Sequence, residues 1–177
     1  MKKRNIILIG MPGAGKSSVG VILAKALGYE FIDTDLVIQH REKRLLREII
    51  ADEGNEGFLA IENEVNATLE ADESVIAPGG SAIYGKEAME HFKEIGTIVY
   101  LKLSYEDLAK RLGNLKGRGV VLKEGQTLKD LYDERSKLYE QYAEITVDEL
   151  GALSNRFPYE FVCDIGKRVP RVYLNRA

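Results

Sequence analysis

The sequence contains little that would place the protein outside the cell or in a membrane. Its only cysteine, Cys163, cannot form an internal disulfide, so the fold requires no oxidising compartment. No stretch approaches the ~20 apolar residues needed to cross a bilayer. The basic N-terminus resembles a signal peptide only superficially, because the apolar run at 6–9 is followed at once by glycine. We therefore expect a cytoplasmic protein whose residues 6–9 belong to a buried strand.

The sequence also lacks a large excess of charge of either sign. It has 25 lysines and arginines against 28 aspartates and glutamates, for a formal net charge of -3. This balance provides no electrostatic basis for binding nucleic acid or an anionic membrane. With 4 prolines, 17 glycines and 45% hydrophobic residues, the chain is not collagen-like, disordered or a coiled coil. We expect a single domain over 1–177, a monomer, that binds a small-molecule substrate.

Strand patterns alternate with helix patterns along the chain. Apolar and β-branched runs predict strands at 5–9, 30–33, 74–77, 97–103 and 144–147. Between them, apolar residues recur at helical spacing. This alternation predicts an α/β fold, with a mainly parallel five-stranded sheet at the centre of a three-layer sandwich.

Two segments interrupt the alternation. The helical excursion, residues 36–71, lies between the second and third predicted strands and has a break at 53–55. The lid segment, residues 113–125, is rich in glycine and basic residues, which indicates a flexible loop. From residue 151 onward the pattern supports no firm assignment.

The turn after the first strand carries a phosphate-binding motif. Residues 10–17, Gly-Met-Pro-Gly-Ala-Gly-Lys-Ser, satisfy the P-loop pattern between a hydrophobic strand and a helix. Glycines let consecutive N–H groups turn toward phosphate oxygens, and the helix adds its positive N-terminal end. Lys16 would bridge the β- and γ-phosphates, Ser17 would coordinate Mg²⁺, and Ser18 would donate to the α-phosphate. The predicted nucleotide-binding residues of the loop are Gly13, Ala14, Gly15, Lys16, Ser17 and Ser18.

The P-loop alone does not distinguish a kinase from a GTPase, a motor or a nucleotide sensor. The chain contains no Asn-Lys-x-Asp run of the kind that reads guanine. Its 177 residues leave no room for the usual accessory parts of a motor. The remaining candidates are a kinase and a nucleotide-binding regulatory module.

Two carboxylates stand at the carboxyl end of the second strand. Asp33 and Asp35 follow an apolar pair and would lie beside the P-loop, where open α/β sheets bind ligands. Residues two apart in a strand point to the same side. Asp33 would hold a Mg²⁺-bound water while Asp35 accepts a proton from an acceptor hydroxyl. Alternatively, Asp35 caps the helix that follows.

Together with several later motifs, these features resemble the shikimate kinase family of small-molecule kinases over roughly residues 4–147. The segment 54–62, Gly-Asn-Glu-Gly-Phe-Leu-Ala-Ile-Glu, is similar to the family's Gly-Glu-x-x-Phe-Arg-x-x-Glu. The run at 79–81, Gly-Gly-Ser, is similar to its Gly-Gly-Gly. The other matches are the adenine-stacking and lid arginines and the substrate-binding arginine motif, at Arg111, Arg118, Arg135 and Tyr139.

The resemblance implies transfer of the γ-phosphoryl group of ATP to a hydroxyl, with Mg²⁺ as cofactor and shikimate as the first candidate acceptor. It implies that Asp35 binds the substrate hydroxyls and acts as base, and that Asp33 serves the Mg²⁺ shell. Gly79 and Gly80 would let backbone N–H groups approach the substrate. Arg135 would bind the substrate carboxylate.

The resemblance also implies roles for two further arginines. Arg118 would move in with the lid segment and neutralise the transferring phosphoryl group, while Arg111 would stack on adenine. A lid has an independent physical reason, because phosphoryl transfer must exclude water and needs positive charge at the γ-phosphate.

Leu59 departs from the family pattern, because the family carries there an arginine that pairs with the substrate carboxylate. Leucine offers no donor, and losing one charged partner from a desolvated site costs ~2–5 kcal/mol. Asn55, Ser81 and Gly119 are further departures. One hypothesis is therefore a related kinase for another hydroxy acid or polyol, such as gluconate.

Two other hypotheses remain open. A basic residue within 41–47 would supply the missing cation, unless that run is a solvated helix face. A separate hypothesis, from a different functional class, is a regulatory module that binds nucleotide and has lost catalysis. Retention of Lys16, Asp35, Arg118 and Arg135 argues against such a module.

Overall fold

A computed structural model of the chain describes residues 4–111, 125–148 and Ile165. Five parallel strands form one sheet in the order β2-β3-β1-β4-β5. Their bounds are β1, Asn5–Ile9; β2, Glu30–Asp33; β3, Ser74–Ala77; β4, Gly96–Lys102; and β5, Ile145–Asp148. The predicted mainly parallel sheet is confirmed, with each strand within about one residue of its expected position, the usual uncertainty of such boundaries.

The helices of the described ranges connect the strands and frame the sheet. Their bounds are α1, Lys16–Leu27; α2, Thr34–Glu42; α3, Leu46–Ala67; α4, Lys86–Ile95; α5, Tyr105–Arg111; and α6, Leu128–Tyr142, with a 3₁₀ turn at Ala82–Tyr84. Gly28 ends α1 in the left-handed conformation, and Thr127 with Asp130 forms a capping box at the start of α6. None of these helices combines the length and the apolar character that a membrane span requires.

The sheet is buried on both faces, as expected for a parallel sheet between two layers of helices. Ile6 of β1 packs with Leu23 of α1 on one face. The next residue, Ile7, points to the other face and packs in a cluster with Phe92 of α4. Because apolar clusters lie on both sides, the three-layer α/β sandwich predicted from the sequence is confirmed.

The helical excursion has one more break than the sequence predicts. α2 ends at Glu42, and Lys43 adopts a left-handed conformation with φ 56° before α3 begins. This turn lets Ile38 of α2 and Ile49 of α3 enter the same apolar cluster. A tertiary requirement therefore overrides the local helix propensity of this polar segment. The predicted break at 53–55 is present, at Gly54 with φ 71°.

The register of β2 and β3 positions the candidate site. Asp33 pairs with Ala77, so Asp35 and Gly79, each two residues later, leave the sheet side by side. The neighbouring strands β1 and β3 feed α1 and α4, which cover opposite faces of the sheet. The carboxyl ends of these strands therefore form the crevice where open α/β sheets bind ligands.

Candidate active site

The P-loop bends through glycines with positive φ. Gly10, Gly13 and Gly15 have φ values of 149°, 83° and 91°, which residues with a side chain rarely adopt. A Cβ on Gly10 would also lie 2.7 Å from the carbonyl oxygen of Leu101. Gly15 precedes α1 without a side-chain capping bond. The first N–H groups of α1 are therefore positioned as donors to an anion.

Lys16 extends back across the loop to two backbone carbonyl groups. Its Nζ donates to the carbonyl oxygens of Gly10 at 2.8 Å and Met11 at 3.1 Å. Desolvation lowers the pKa of Lys16 from 10.5 to about 8, an effect that the nearby carboxylate of Asp35 opposes and Arg135 reinforces. A bound phosphate would supply an anionic partner to this preorganised ammonium group.

Asp33 connects the P-loop to α2. Its Oδ2 accepts a hydrogen bond from the Ser17 hydroxyl at 3.2 Å, and its Oδ1 accepts from the backbone N–H of Asp35 at 3.1 Å. Asp33 is therefore the N-cap of α2. The hypothesis that Asp35 caps this helix is wrong, because α2 begins directly after the strand and the cap position falls on Asp33.

A cavity of about 290 Å³ lies at the carboxyl edge of the sheet and brings most of the predicted residues together. Its lining includes Gly13, Gly15, Lys16, Ser17, Ser18, Asp33, Asp35, Gly79, Gly80 and Arg135. Ala14, also part of the P-loop, is buried and is not in this lining; its N–H donates to the carbonyl of Met11 at 3.0 Å. Residues predicted from widely separated motifs thus surround one space.

Asp35 is a largely buried carboxyl group of the cavity wall. Desolvation raises its pKa from 3.8 to about 6, the charge of Asp33 raises it further, and Lys16 opposes the shift. Such a carboxyl group is largely ionised at neutral pH yet basic enough to accept a proton. The environment therefore suits Asp35 for a general base.

Arg135 of α6 is a buried cation in the lining of the cavity, and 1% of its surface is exposed. Its Nε donates to the Tyr84 hydroxyl at 3.3 Å, and its guanidinium lies 5.3 Å from the centre of that ring. One turn later on α6, the Tyr139 hydroxyl donates to the carbonyl of Gly80 at 2.6 Å. A Cβ on Gly80 would lie 3.2 Å from Arg135 Nη1. These contacts hold Arg135 against the glycine turn.

Glu62 of α3 is a second buried carboxyl group in the cavity wall. Its Oε2 accepts a hydrogen bond from the Ser81 hydroxyl at 2.6 Å, while Oε1 has no hydrogen-bond partner among the described residues. Desolvation raises the pKa of Glu62 to about 7, the Ser81 hydrogen bond opposes the shift, and Asp35 adds to it. A Cβ on Gly79 would collide with Glu62 Oε1 and lie 3.0 Å from Asp35 Oδ1. Glycine at 79 therefore lets the two carboxyl groups approach the same backbone.

The family model for shikimate kinase matches residues 12–164. The chain belongs to the shikimate kinase family. Shikimate kinase 2 of Yersinia enterocolitica is 34% identical over 154 residues, which cover 82% of this chain and 86% of that protein. The expectation of a family member, and with it of a phosphotransferase with an alcohol acceptor, is confirmed.

Solved structures of the shikimate kinase family share the fold. A shikimate kinase from Acinetobacter baumannii, in complex with shikimate, superposes with a TM-score of 0.79 at 32% identity, over 94% of this chain and 93% of that chain. Shikimate kinase from Aquifex aeolicus gives a TM-score of 0.72 at 30% identity, over 93% and 94%. The relation thus extends over nearly the whole length of each chain.

Leu59, the departure from the shikimate kinase pattern, does not line the cavity. It packs against the apolar cluster of the excursion, which contains Ile38, Ile49, Phe58 and Val65. Its neighbour Phe58 and the residue one turn later, Glu62, line the cavity instead. Leucine at 59 therefore contributes to the packing of α3 and leaves the acceptor side of the cavity without a cation from this position.

The basic segment 41–47 does not supply the missing cation in this structure. Arg41 pairs with Glu64, and Arg44 pairs with Glu42, Asp52 and Glu53 on the surface. Only Leu46 of this segment is among the described residues that line the cavity. The alternative of a solvated, ion-paired surface therefore accounts for these arginines.

Of the two arginines predicted to contact the nucleotide, the structure describes Arg111 but not Arg118. Arg111, at the end of α5, donates from Nη1 to the carbonyl of Gly13 at 3.1 Å, which brings it to the P-loop. Arg118, with the rest of 112–124, lies outside the described residues, as do Gly119 and Cys163. The role of Arg118 therefore stays a prediction.

Sequence reasoning assigned no role to Glu62, Ser81 or Tyr84. Glu62 and Ser81 are part of quoted motifs, but their contact joins residues 19 positions apart on different elements. Tyr84 belongs to none of the motifs, and its contact with Arg135 joins residues 51 positions apart. No local pattern signals such pairs, although the departure from glycine at 81 marks the position.

Proposed function

We propose that the chain transfers the γ-phosphoryl group of ATP to a hydroxyl of shikimate, forming shikimate 3-phosphate. The observation that carries this proposal is that Lys16, Asp35 and Arg135 line one cavity. A phosphate-binding loop, a carboxyl base and a buried cation are the three groups needed to join ATP to a hydroxylated carboxylic acid.

ATP would bind through the P-loop. The N–H groups at the start of α1, beginning after Gly15, would donate to the phosphates, Lys16 would contact the β- and γ-phosphates, and Ser18 the α-phosphate. The contact between Arg111 and the carbonyl of Gly13 supports a place for Arg111 beside the nucleotide. Its predicted stacking on adenine would anchor the other end of ATP.

Mg²⁺ would be held between Ser17 and Asp33. The Ser17 hydroxyl and Asp33 Oδ2 are 3.2 Å apart beside the loop, and hydroxyl, carboxylate, water and phosphate oxygens form the ligand set that Mg²⁺ prefers. The residues present therefore fit the ion. When bound, Mg²⁺ supplies positive charge that neutralises the phosphate oxygens during transfer.

The chemical step would use Asp35 as the base. The acceptor oxygen forms a bond to the γ-phosphorus, the bond from that phosphorus to the β–γ bridging oxygen breaks, and ADP leaves with the bonding electron pair. The acceptor proton goes to the Asp35 carboxylate, whose pKa is raised to about 6. Arg118, from the lid segment, would neutralise charge on the transferring group.

Acceptor binding would depend on α6 and the glycine turn. Arg135, buried beside Tyr84, would bind the acceptor carboxylate through charge-assisted hydrogen bonds. Gly79 and Gly80 would admit the acceptor close to the backbone, since a side chain at either position would collide with its neighbours. The bound shikimate of the Acinetobacter baumannii relative supports this acceptor class.

A related kinase for another hydroxy acid, such as gluconate, is the second candidate, and Leu59 favours it. A coupled ADP-release assay with shikimate, gluconate and quinate separates the two. We expect turnover with shikimate, loss of that turnover in Asp35→Asn, and retention in Glu64→Gln, which changes an exposed carboxylate of α3. Turnover with gluconate alone would favour the second candidate, and ATP binding without turnover on any acceptor would favour a regulatory module.

A further inference from the structure

Glu62 is a buried carboxyl group to which the proposed reaction assigns no step. It is 1% exposed and lines the same cavity as Asp35 and Arg135. Ser81 donates to Oε2, and Oε1 lacks a hydrogen-bond partner among the described residues. A buried carboxylate oxygen without a donor is costly unless the group is neutral or a ligand completes its hydrogen bonding.

The charges around Glu62 come from three elements. Lys16 of α1 and Arg135 of α6 favour its ionised form, while Asp35 of α2 disfavours it. Within the described lining of the cavity, these two cations stand against Asp33, Asp35 and Glu62. An acceptor carboxylate at Arg135 would add another anion, and Leu59 adds no cation to offset it. Protonation of one carboxyl group would relieve that repulsion.

We propose that Glu62 is a specificity-determining residue that takes up one proton when a carboxylate acceptor binds and donates a hydrogen bond to that acceptor. The proposal rests on the proposed function. The proton comes from solvent and forms an O–H bond at Oε1, because Ser81 already occupies Oε2. The neutral acid then provides the donor that leucine at 59 cannot provide. The site thereby favours a hydroxylated carboxylate over a neutral polyol.

This linkage fixes the direction of the pH dependence. The pKa of Glu62 in the free protein is raised to about 7, and an anionic acceptor raises it further. Below that value Glu62 is already protonated, so it contributes no pH dependence to acceptor affinity. Above it, affinity falls by ~tenfold per pH unit until the pKa of the complex is reached.

Isothermal titration calorimetry of shikimate binding, in buffers of different ionisation enthalpy, measures the proton uptake directly. ADP and Mg²⁺ at saturation keep Lys16 charged through its phosphate contacts. We expect the wild-type protein to take up about one proton more than Glu62→Gln at pH ~8 and almost the same number at pH ~6, with the wild-type Kd about tenfold higher at the upper value. Glu62→Gln keeps a donor without a titratable group, so this additional proton is not taken up and the dependence of Kd on pH that Glu62 causes is lost. Glu64→Gln, on the exposed side of α3, keeps the wild-type uptake.

A second variant keeps the proposal testable where Glu62→Gln does not fold. Ser81→Ala removes the donor that stabilises ionised Glu62, so the onset of the pH dependence moves up by about one unit. Shikimate binding without proton uptake, uptake that persists unchanged in Glu62→Gln, or an unmoved onset in Ser81→Ala overturns this proposal and leaves the proposed function intact. A folded wild-type protein that binds no shikimate at any pH overturns both.

Discussion

The nucleotide side and the acceptor side of the cavity are built in different ways. The nucleotide side consists largely of one continuous segment, residues 10–18, between β1 and α1. The acceptor side is assembled from the end of β2, from α3, from the turn after β3 and from α6, through Asp35, Glu62, Gly79 and Arg135. The departures from the family pattern that lie in described residues, at 55, 59 and 81, all occur in two of these elements, α3 and the turn after β3.

The two sides of the cavity differ in how many of their side chains can be substituted without loss of ligand binding. In the P-loop, backbone N–H groups and glycine conformations form the site, so few side chains can vary without loss of phosphate binding. On the acceptor side, side chains from different elements form the site together, so a substitution at one position can be offset by a substitution at another. Leu59, which offers no donor, and Ser81, whose hydroxyl donates to Glu62, both lie in this part of the molecule.

The largest expected effect lies on the nucleotide side. Lys16→Ala removes the ammonium group that the loop holds in place, so turnover should fall by ~10³ or more. The fold should persist, because Lys16 lies in the loop-to-helix turn rather than in an apolar cluster. Turnover and thermal melting are measured together, with Lys25→Ala at the exposed end of α1 as control. A folded variant with full activity would show that the loop is not the catalytic centre.

The next effect separates the two aspartates. Asp35→Asn removes the base and keeps the shape of the side chain, so kcat should fall by ~10² while ATP affinity changes little. Asp33→Asn retains an N-cap for α2 and should instead raise the Mg²⁺ concentration needed for half-maximal rate. Steady-state kinetics over a Mg²⁺ series tests both variants. Identical behaviour of the two would contradict the division of roles.

The pH dependence of the wild-type rate tests Asp35 further. Because its pKa is raised to about 6 and the base must be ionised, kcat at saturating shikimate and ATP should be level above that pH. Below it, kcat should fall by ~tenfold per unit as Asp35 becomes protonated. The residual activity of Asp35→Asn should lack this acid limb. An acid limb that persists in the variant would assign the titration to another group.

The smallest expected effect lies at position 59. Leu59→Arg places a guanidinium three residues before Glu62 on the same helix, a spacing at which helical side chains are neighbours. We expect KM for shikimate to fall by ~tenfold at pH ~8, because the new cation adds attraction and pairs with Glu62. Loss of apolar packing should cost about 1 kcal/mol of unfolding free energy.

Leu59→Met is the matched control, since it retains apolar packing without a charge. Its KM should equal that of the wild type, which would assign the gain in the arginine variant to the guanidinium. A stable Leu59→Arg protein with unchanged KM would mean that position 59 does not act on the acceptor side.

The sequence by itself determined the strand order along the chain, the P-loop and the presence of two aspartates at the end of β2. These features are local: positive φ at Gly13 and Gly15 requires glycine, and alternating apolar runs define strands without knowledge of their neighbours. Residues within one turn or strand end are close in space because they are close in sequence. The segments after Gly10 and around Asp35 could therefore be interpreted chemically before the fold was known.

Only the tertiary structure decided which side chains share the cavity and what each one contacts. Asp33, not Asp35, caps α2, and Lys43 turns the chain so that two helices share one apolar cluster. The contact of Ser81 with Glu62 and the burial of Arg135 against Tyr84 join residues far apart in the chain. Such contacts depend on sheet register and helix packing, and the resulting desolvation sets the charge of each carboxyl group. Neither these contacts nor the desolvation of the carboxyl groups is encoded in the spacing of any one motif.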